Sequence, residues 1–577
     1  MTQSNSGFPG GRRAAGRLPD SLTGAICGLL TAAVSMGIAQ LLAGFSIPQS
    51  SPVLAVGQAA IGLTPGPVEK WAVSSFGADD KNVLLAGVWI LLFAFAAVIG
   101  VLAIRRLALG MTGLAIFAAI GLAAALTRNN ASAGYALPTL GGSGVGAFAL
   151  FRLVAAARSA ARAALPPEPL PPIVFGPRPG AGAPAELRAP DLPDELRAPD
   201  PPDVLRAPDP PGSNVPALRT ERPPARRTFL LTAGVTLAAA AAGELGGREL
   251  ATRRTVSVAR AAIRFPRPAV PAPPLPSGVN LPVPGISPFI TPNGQFYRVD
   301  TALFLPQVDP SGWQLRIHGM VEREIVLTFD QLLRRPLIED YITLCCVSNP
   351  VSGPYIGNAE WLGASLASLL RAARPSSGAS QLLCTSVDGF TSGTPLSVVL
   401  DGRDALVAVA MNGTALPVEH GFPARLVVPG LYGYVSACKW VTDIEVTTFG
   451  AANAYWVQQG WAQRAPIKTE SRIDVPASGS SVRAGRVAVA GVAWAQHKGI
   501  EAVEVRVDNG PWQEATLAAV PDIDCWRQWV WQWDAAPGSH TIEARATDKT
   551  GYTQTAVQAP TAPNGASGYP SATVTVS

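Results

Sequence analysis

Residues 341–362 read YITLCCVSNPVSGPYIGNAEWL. A β-type apolar run ends in two cysteines. A Ser-Asn-Pro turn follows, then a glycine-bearing loop, then a segment whose spacing predicts a helix. A cysteine leaving a strand for a loop can hold a thiolate against a soft metal centre. The residues alone leave the plain alternative open, because a single Cys is ordinarily a small buried hydrophobe. Around this stretch, from Ile286 onward, the texture is that of a water-soluble α+β domain. Strand-like runs fall at 313–317 and 425–428, and helical patterns at 329–333 and 362–373.

Beyond Trp461 the texture changes. Segments 482–494, 502–507 and 540–547 alternate as strands do, and Asp508-Asn509-Gly510 supplies a hairpin turn, since Asn-Gly tolerates positive φ. The expectation for 462–577 is an all-β, Ig-like sandwich.

Towards the N-terminus the chain turns apolar. Runs at 22–45, 83–104, 107–126 and 137–157 are each about the ~20 residues that cross a bilayer. Arg12, Arg13 and Arg17 precede the first run, Arg105 and Arg106 separate the second from the third, and Arg158 and Arg162 follow the fourth. The alternate loops carry only Lys70, Lys81 and Arg128. All basic clusters fall on one face if the N-terminus is cytoplasmic. A proline-rich linker at 165–225 then repeats ELRAPDLPD, ELRAPDPPD and VLRAPDPPG, which reads as an extended, semi-rigid cytoplasmic spacer. Arg226-Arg227 opens a mild apolar run to residue 247. It is a fifth span that places everything after it outside, and the paired Arg are either a twin-arginine-like signal set inside the chain or ordinary flanking charges. The expected division is a four-span anchor at 1–164, the linker, the fifth span at 226–247, a connector at 248–285, a catalytic domain at 286–461 and the sandwich.

Composition agrees with a membrane segment joined to soluble material. Of 577 residues, 48% are hydrophobic and 15% charged. The net charge of +5 comes from dispersed basic residues, which argues against nucleic acid as a partner. Six Cys do not make a disulfide framework in a chain this long. No P-loop and no HExxH is present. All four His lie at or after His318, so the membrane half offers no bis-His haem site and no haem is expected.

The 341–362 stretch resembles the molybdenum-binding segment of the sulfite oxidase family of molybdopterin enzymes, whose pattern is Cys, two residues, Asn. Here that is Cys346-Val347-Ser348-Asn349. TPNGQFYRVD at 291–300 resembles the family's first cofactor-binding strip. NGTALPVEHGFPARLVVPGLYGYVSACKW at 412–440 is similar to its pterin-binding core, with His, four residues, Arg, a Pro-Gly turn and Lys-Trp. The resemblance covers 286–577, including a terminal domain that dimerises in the family; the anchor and linker lie outside it, and with them the chain reads as a membrane-anchored bacterial form of actinobacterial type. The resemblance implies one pterin and one protein thiolate on molybdenum, from Cys346, with Cys345 a packed neighbour. Pterin contacts would fall on Phe296, Tyr297, Arg298, Val299, Asp300, Asp388, His420, Arg425, Ala437, Cys438 and Lys439.

The sequence also departs from the family. Arg298 matches one substrate-site Arg, but Val351 and, loosely, Asn564 stand where two others belong, and Trp461 stands at the catalytic Tyr position. A sulfite dianion needs compensating charge, so the expected activity is oxygen-atom transfer at a Mo-oxo centre on a substrate other than sulfite, with Cys346, Arg298 and Trp461 at the catalytic positions. A small-molecule substrate, membrane lipid and a separate electron-transfer partner, cytochrome or quinone-linked, are the implied partners. The cofactor is inserted in the cytoplasm, so an outward-facing domain must cross folded, the task of the twin-arginine route. Two alternatives remain: a reductase of sulfoxides such as methionine sulfoxide, and a non-catalytic surface interaction protein with a degenerate molybdopterin fold.

Overall fold

The computed structural model describes residues 19–46, 50–64, 68, 80–127, 133–163, 225–253 and 256–577. Arg12, Arg13, Arg17, Lys70, Arg128 and the linker repeat lie outside the described residues.

The N-terminal part is helical: α1 (Asp20–Phe45), α2 (Pro52–Leu63), α3 (Asp80–Arg105), α4 (Leu107–Leu126), α5 (Ala136–Ala163) and α6 (Ala225–Arg253). All but α2 are long and apolar enough to cross a bilayer. The short α2 is an element the sequence reading did not separate. Helix α1 is the hub, and small residues let the backbones close in. A Cβ on Gly28 would lie 1.9 Å from the Ala96 carbonyl of α3, and one on Gly37 would lie 2.4 Å from the Ala240 carbonyl of α6. Such close approach is how helices associate where water supplies no drive. Gly24 meets Val101 while Gly28 meets Ala96, so α1 and α3 run antiparallel; Gly37 meets Ala240 while Gly44 meets Gly247, so α1 and α6 run parallel. Arg158 of α5 donates to the Ala103 and Ile104 carbonyls at the end of α3, at 2.9 and 3.0 Å. Arg105, Arg106 and Arg158 thereby gather at one end of the bundle.

The middle part holds β1 (Gln314–Gly319), β2 (Ile325–Thr328), β3 (Leu337–Cys345), β4 (Ile356–Ser365), β5 (Gln381–Ser386), β6 (Thr391–Pro395), β7 (Leu406–Met411), β8 (Thr414–Ala415), β9 (Arg425–Val427) and β10 (Val441–Thr447). One mixed sheet has the order β2-β1-β10-β5-β6, with β1 parallel to β10. The other has the order β3-β4-β7-β8, with β9 on β7. The segment after the cysteine loop is the strand β4, not the expected helix, and the helix begins only at Leu366. The reason is burial on both faces: every residue of β4 but Glu360 and Ser365 is buried, so the apolar run carries no period of two.

Two further sheets face each other at the C-terminus, built from β11 (Glu470–Val475), β12 (Ser481–Val482), β13 (Gly485–Trp494), β14 (Ile500–Val507), β15 (Gln513–Glu514), β16 (Thr516–Leu517), β17 (Arg527–Ala535), β18 (Gly538–Asp548) and β19 (Ser571–Val576). Their orders are β11-β13-β17-β16 and β12-β19-β18-β14-β15. Val489, Trp529 and Trp533 from one meet Val503, Ile542 and Val574 from the other. The expected turn joins β14 to β15, with its positive φ one residue early, at Asp508 (52°) and Asn509 (58°). This pair of sheets braces the strand that carries the cysteines: Thr343 donates its N–H to the Asp524 carbonyl (3.0 Å) and accepts the Trp526 N–H on Oγ1 (2.7 Å).

Candidate active site

Strands β3 and β4 form a hairpin with Cys345 opposite Ile356, so residues 346–355 are its loop. Cys346 N–H donates to the Tyr355 carbonyl (2.9 Å), and Asn349 N–H donates back to the Cys346 carbonyl (3.1 Å). The Asn349 side chain, 3% exposed, accepts the Tyr355 N–H on Oδ1 at 2.8 Å. The Cys-x-x-Asn spacing thus has a mechanical meaning: Asn349 clasps the loop that presents Cys346. Gly353 is required there, since a Cβ would lie 2.5 Å from Asn349 Oδ1. Cys345 turns into the core, while Cys346 Sγ lies 2.9 Å from Ser348 Oγ. Burial raises the Cys346 thiol, and the Ser348 hydroxyl and Lys439 pull it back down. A thiolate at this depth needs a cation beside it.

A second group of residues forms an anion cradle. His420 closes the 3-10 turn Val418–His420 and is 1% exposed. Its Nε2 lies 3.2 Å from the Asn293 carbonyl, which can only accept, so Nε2 carries the hydrogen and Nδ1 is a bare acceptor. That Nδ1 is buried without a partner. Burial, then Arg425 and Lys439, push the imidazole down to about 3, so it is neutral near pH 7. Arg425 opens β9, 4% exposed, and lies over the Trp361 ring at 5.1 Å. Its guanidinium meets only the carbonyls of Leu426, His420 and Ala437, at 3.3, 3.2 and 3.5 Å. No carboxylate among the described residues pairs with it, and burial lowers it to about 10. Lys439, 8% exposed, donates to Asp300 Oδ2 and the Glu419 carbonyl, both at 3.0 Å, and burial brings it down to about 8.

Asp300 also accepts from Arg298 Nε (2.8 Å) and from Lys81 Nζ of α3 (2.7 Å). Burial opposes its ionisation, but Lys439, Arg298 and Lys81 outweigh it and hold the carboxyl well below the usual range. Phe296 packs edge-on to Trp361 and His420 and stacks on Tyr297. It fits because Gly357 has no side chain, a Cβ there falling 2.8 Å from the ring.

The structure therefore brings Phe296, Tyr297, Arg298, Asp300, His420, Arg425 and Lys439 together. Cys346 lies within electrostatic reach of Tyr297 and Lys439. Val299 is 42% exposed within the same strip. Ala437 contributes its carbonyl to Arg425. Cys438 turns into the core, its sulfur 3.9 Å from the Cys384 carbonyl, so only its backbone faces the loop. Asp388 sits in the β5–β6 turn, accepts the Phe390 N–H, and raises the Cys438 thiol by its charge. Trp461 packs on Tyr434 and Trp456, and its indole N–H is buried without a partner. Asn564 accepts from Lys468 Nζ at 3.3 Å, which brings a cation to the position where an Arg was expected. Lys81 and Asn293 were missed, as was the Ser348 hydroxyl. Ser348 lies inside the quoted motif, and Lys81 is a lone cation at the start of a span; nothing local ties Lys81 to Asp300, 219 residues away.

This donor set fits a phosphate-bearing pterin. It offers an unmatched buried guanidinium, a buried lysine, an orphaned acceptor at His420, and a strip at 297–300 whose backbone N–H groups find no backbone acceptor among the described residues. Residues 302–456 match the family described as oxidoreductase molybdopterin binding domain. This chain carries a molybdopterin-binding oxidoreductase domain of the sulfite oxidase family. Sulfite oxidase of Gallus gallus is 30% identical over 290 residues, which cover 42% of this chain and 62% of that protein. NADH nitrate reductase 1 of Oryza sativa subsp. japonica is 31% identical over 194 residues, covering 29% of this chain and 21% of the relative. Among solved structures, the sulfane dehydrogenase SoxCD from Paracoccus pantotrophus is 26% identical, with 46% of this chain and 74% of that chain covered and a TM-score of 0.42. The chain thus spans less than two thirds of the length of the sulfite oxidases it matches.

Proposed function

We propose that this molybdopterin oxidoreductase is a membrane-anchored enzyme whose catalytic half, 286–461, works on the extracytoplasmic side and acts on a substrate other than sulfite. The carrying observation is the Arg425–Lys439–His420 cradle, whose buried cations outnumber their carboxylate partners. When bound, the cofactor supplies two-electron oxygen-atom transfer. Cys346 would provide the one protein thiolate on molybdenum. Arg425 and Lys439 would hold the phosphate through charge-assisted hydrogen bonds, and the unpaired His420 Nδ1 would be free to accept from a cofactor N–H. Phe296, Tyr297, Val299 and Asp300 form the strip against which the pterin lies. Asp388 and the backbone of 437–438 flank it, and Arg298 orients a polar substrate.

The anchor reading rests on the five long apolar helices and on Arg105, Arg106, Arg158, Arg162 and Arg227, which share one end of the bundle. With that end cytoplasmic, Lys81 and residue 256 onward lie outside, and Arg226-Arg227 precedes the last span as a twin-arginine export signal would. The C-terminal sheets act as an Ig-like dimerisation domain. Electrons pass one at a time to a separate cytochrome or quinone-linked partner.

Reduction of a sulfoxide is the second reading. Val351 brings no charge, and the buried Trp461 N–H is an unpaired donor suited to a neutral oxide oxygen. Metal and pterin analysis of the purified full chain tests the main reading, which expects molybdenum and pterin in equal amounts; neither bound would sink it. Steady-state assays with sulfite and with methionine sulfoxide separate the substrate classes.

A further inference from the structure

We propose that Lys81, at the start of α3, is a positioning residue of the cofactor cradle, so that cofactor retention depends on the membrane anchor. The inference rests on the molybdopterin reading and extends it to a part of the chain outside the family match. Lys81 Nζ donates to Asp300 Oδ1 at 2.7 Å and to the Ala302 carbonyl at 3.0 Å. Among the described residues, a carboxylate and a carbonyl of the 300–302 strip thus both hold the ammonium. Asp300, 6% exposed, divides its oxygens: Oδ1 takes Lys81 and Arg298 NH2, and Oδ2 takes Lys439 and Arg298 Nε. One carboxylate therefore sets the places of three cations. Without Lys81, Oδ1 would lose its shortest bond, and the carboxylate could swing towards Arg298 and away from Lys439. Lys439 would then keep the Glu419 carbonyl but lose the fixed carboxylate that sets its place beside a phosphate.

The same face of the anchor meets the strip elsewhere. A Cβ on Gly57 of α2 would lie 2.9 Å from Leu303 Cδ1, so the helix backbone seats directly on the residue after Ala302. Val256, in the connector beyond α6 and packed in the same core as Phe296 and Trp361, donates its N–H to Gln307 Oε1 at 3.2 Å, a tie within the domain that does not touch Asp300. Two kinds of anchor contact can therefore be told apart: the apolar seat of Gly57 on Leu303, and a charged contact that continues into the cradle through Asp300. Lys81 is 26% exposed on its side chain, so its charge is only partly screened.

The test uses the full chain in detergent or nanodiscs, with Lys81→Met, Lys81→Arg and, as the apolar docking control, Leu303→Ala. The readouts are release of molybdenum and pterin phosphate over time, and hydrogen exchange of residues 297–302. Lys81→Met is expected to release the cofactor roughly tenfold faster and to raise exchange in the strip, in line with loss of a charge-assisted bond. Lys81→Arg should restore most of the retention, and Leu303→Ala should leave it unchanged. Equal retention in Lys81→Met and the parent overturns the proposal, as does equally fast release in Leu303→Ala, which would reduce Lys81 to general docking. If Lys81→Met does not accumulate, Lys81→Gln takes its place: cofactor release faster than in Leu303→Ala supports the proposal, and equal release in the two counts against it. A parent chain without any molybdopterin would instead refute the cofactor reading itself.

Discussion

Replacing Arg425 with Met removes the charge and keeps most of the length. At neutral pH Arg425 is protonated in both folded and unfolded states, so its depressed pKa is a cost that the folded state carries. A value of about 10, against an ordinary one above 12, corresponds to about 3 kcal/mol at 1.36 kcal/mol per pH unit. That cost holds below pH 10 and is relieved as pH rises through the folded value. Against it stand three carbonyl bonds of 3.2 to 3.5 Å, each worth about 1 kcal/mol, and the face of Trp361. The two sides nearly cancel. Arg425→Met should therefore change the thermal stability of the cofactor-free protein by no more than about 1 kcal/mol. The same change should cut cofactor retention by about tenfold to a hundredfold, because a charge-assisted phosphate bond is lost. The assay is thermal unfolding of the full chain, produced with and without molybdopterin supply, alongside phosphate and pterin content. A cofactor-free variant destabilised by the 3–5 kcal/mol typical of a broken buried ion pair, with normal loading, would refute the reasoning and make Arg425 a structural ion.

Other substitutions probe separate links. The His420 imidazole has a folded pKa of about 3, below its unfolded value near 6.5, so the unfolded chain takes up the proton first on acidification. Stability of the cofactor-free protein should fall as pH drops from about 6.5 towards 3, and His420→Phe should flatten that part of the melting-temperature profile. Cys345→Ala should keep its molybdenum and lose only core packing, about 1–2 kcal/mol by denaturant melting, whereas a loss of metal there would reassign the ligand. Gly357→Ala places a methyl 2.8 Å from the Phe296 ring and should lower pterin content without unfolding the sheets, as read by cofactor fluorescence and circular dichroism. Gly28→Val drives α1 off α3, since the Cβ lies 1.9 Å from the Ala96 carbonyl, and should abolish accumulation in membranes, measured by quantitative immunoblot of the membrane fraction.

Much of the site was legible because its key residues are close in sequence. Cys346 and Asn349 fall three apart, and the clasp they form needs no distant partner. His420 and Arg425 fall five apart, and Arg425 donates to the His420 carbonyl across that gap. The strand β4 was misread because burial on both faces erased its alternation. Cys438 was grouped with the cofactor contacts because its neighbour Lys439 belongs there, yet alternation along the chain turns the sulfur into the core. Lys81 was beyond reach for another reason: its partner Asp300 is brought to it only by the packing of helices on the domain, which no local pattern encodes. The small-residue faces of α1 were visible as glycine content, but which helix meets which glycine depends on the bundle.

Molybdenum-edge X-ray absorption compares the purified full chain with Cys346→Ser. One protein thiolate beside the two sulfurs of a single pterin predicts three sulfur scatterers in the parent and two in the variant. Three in both would show that the sulfur at 346 does not bind the metal.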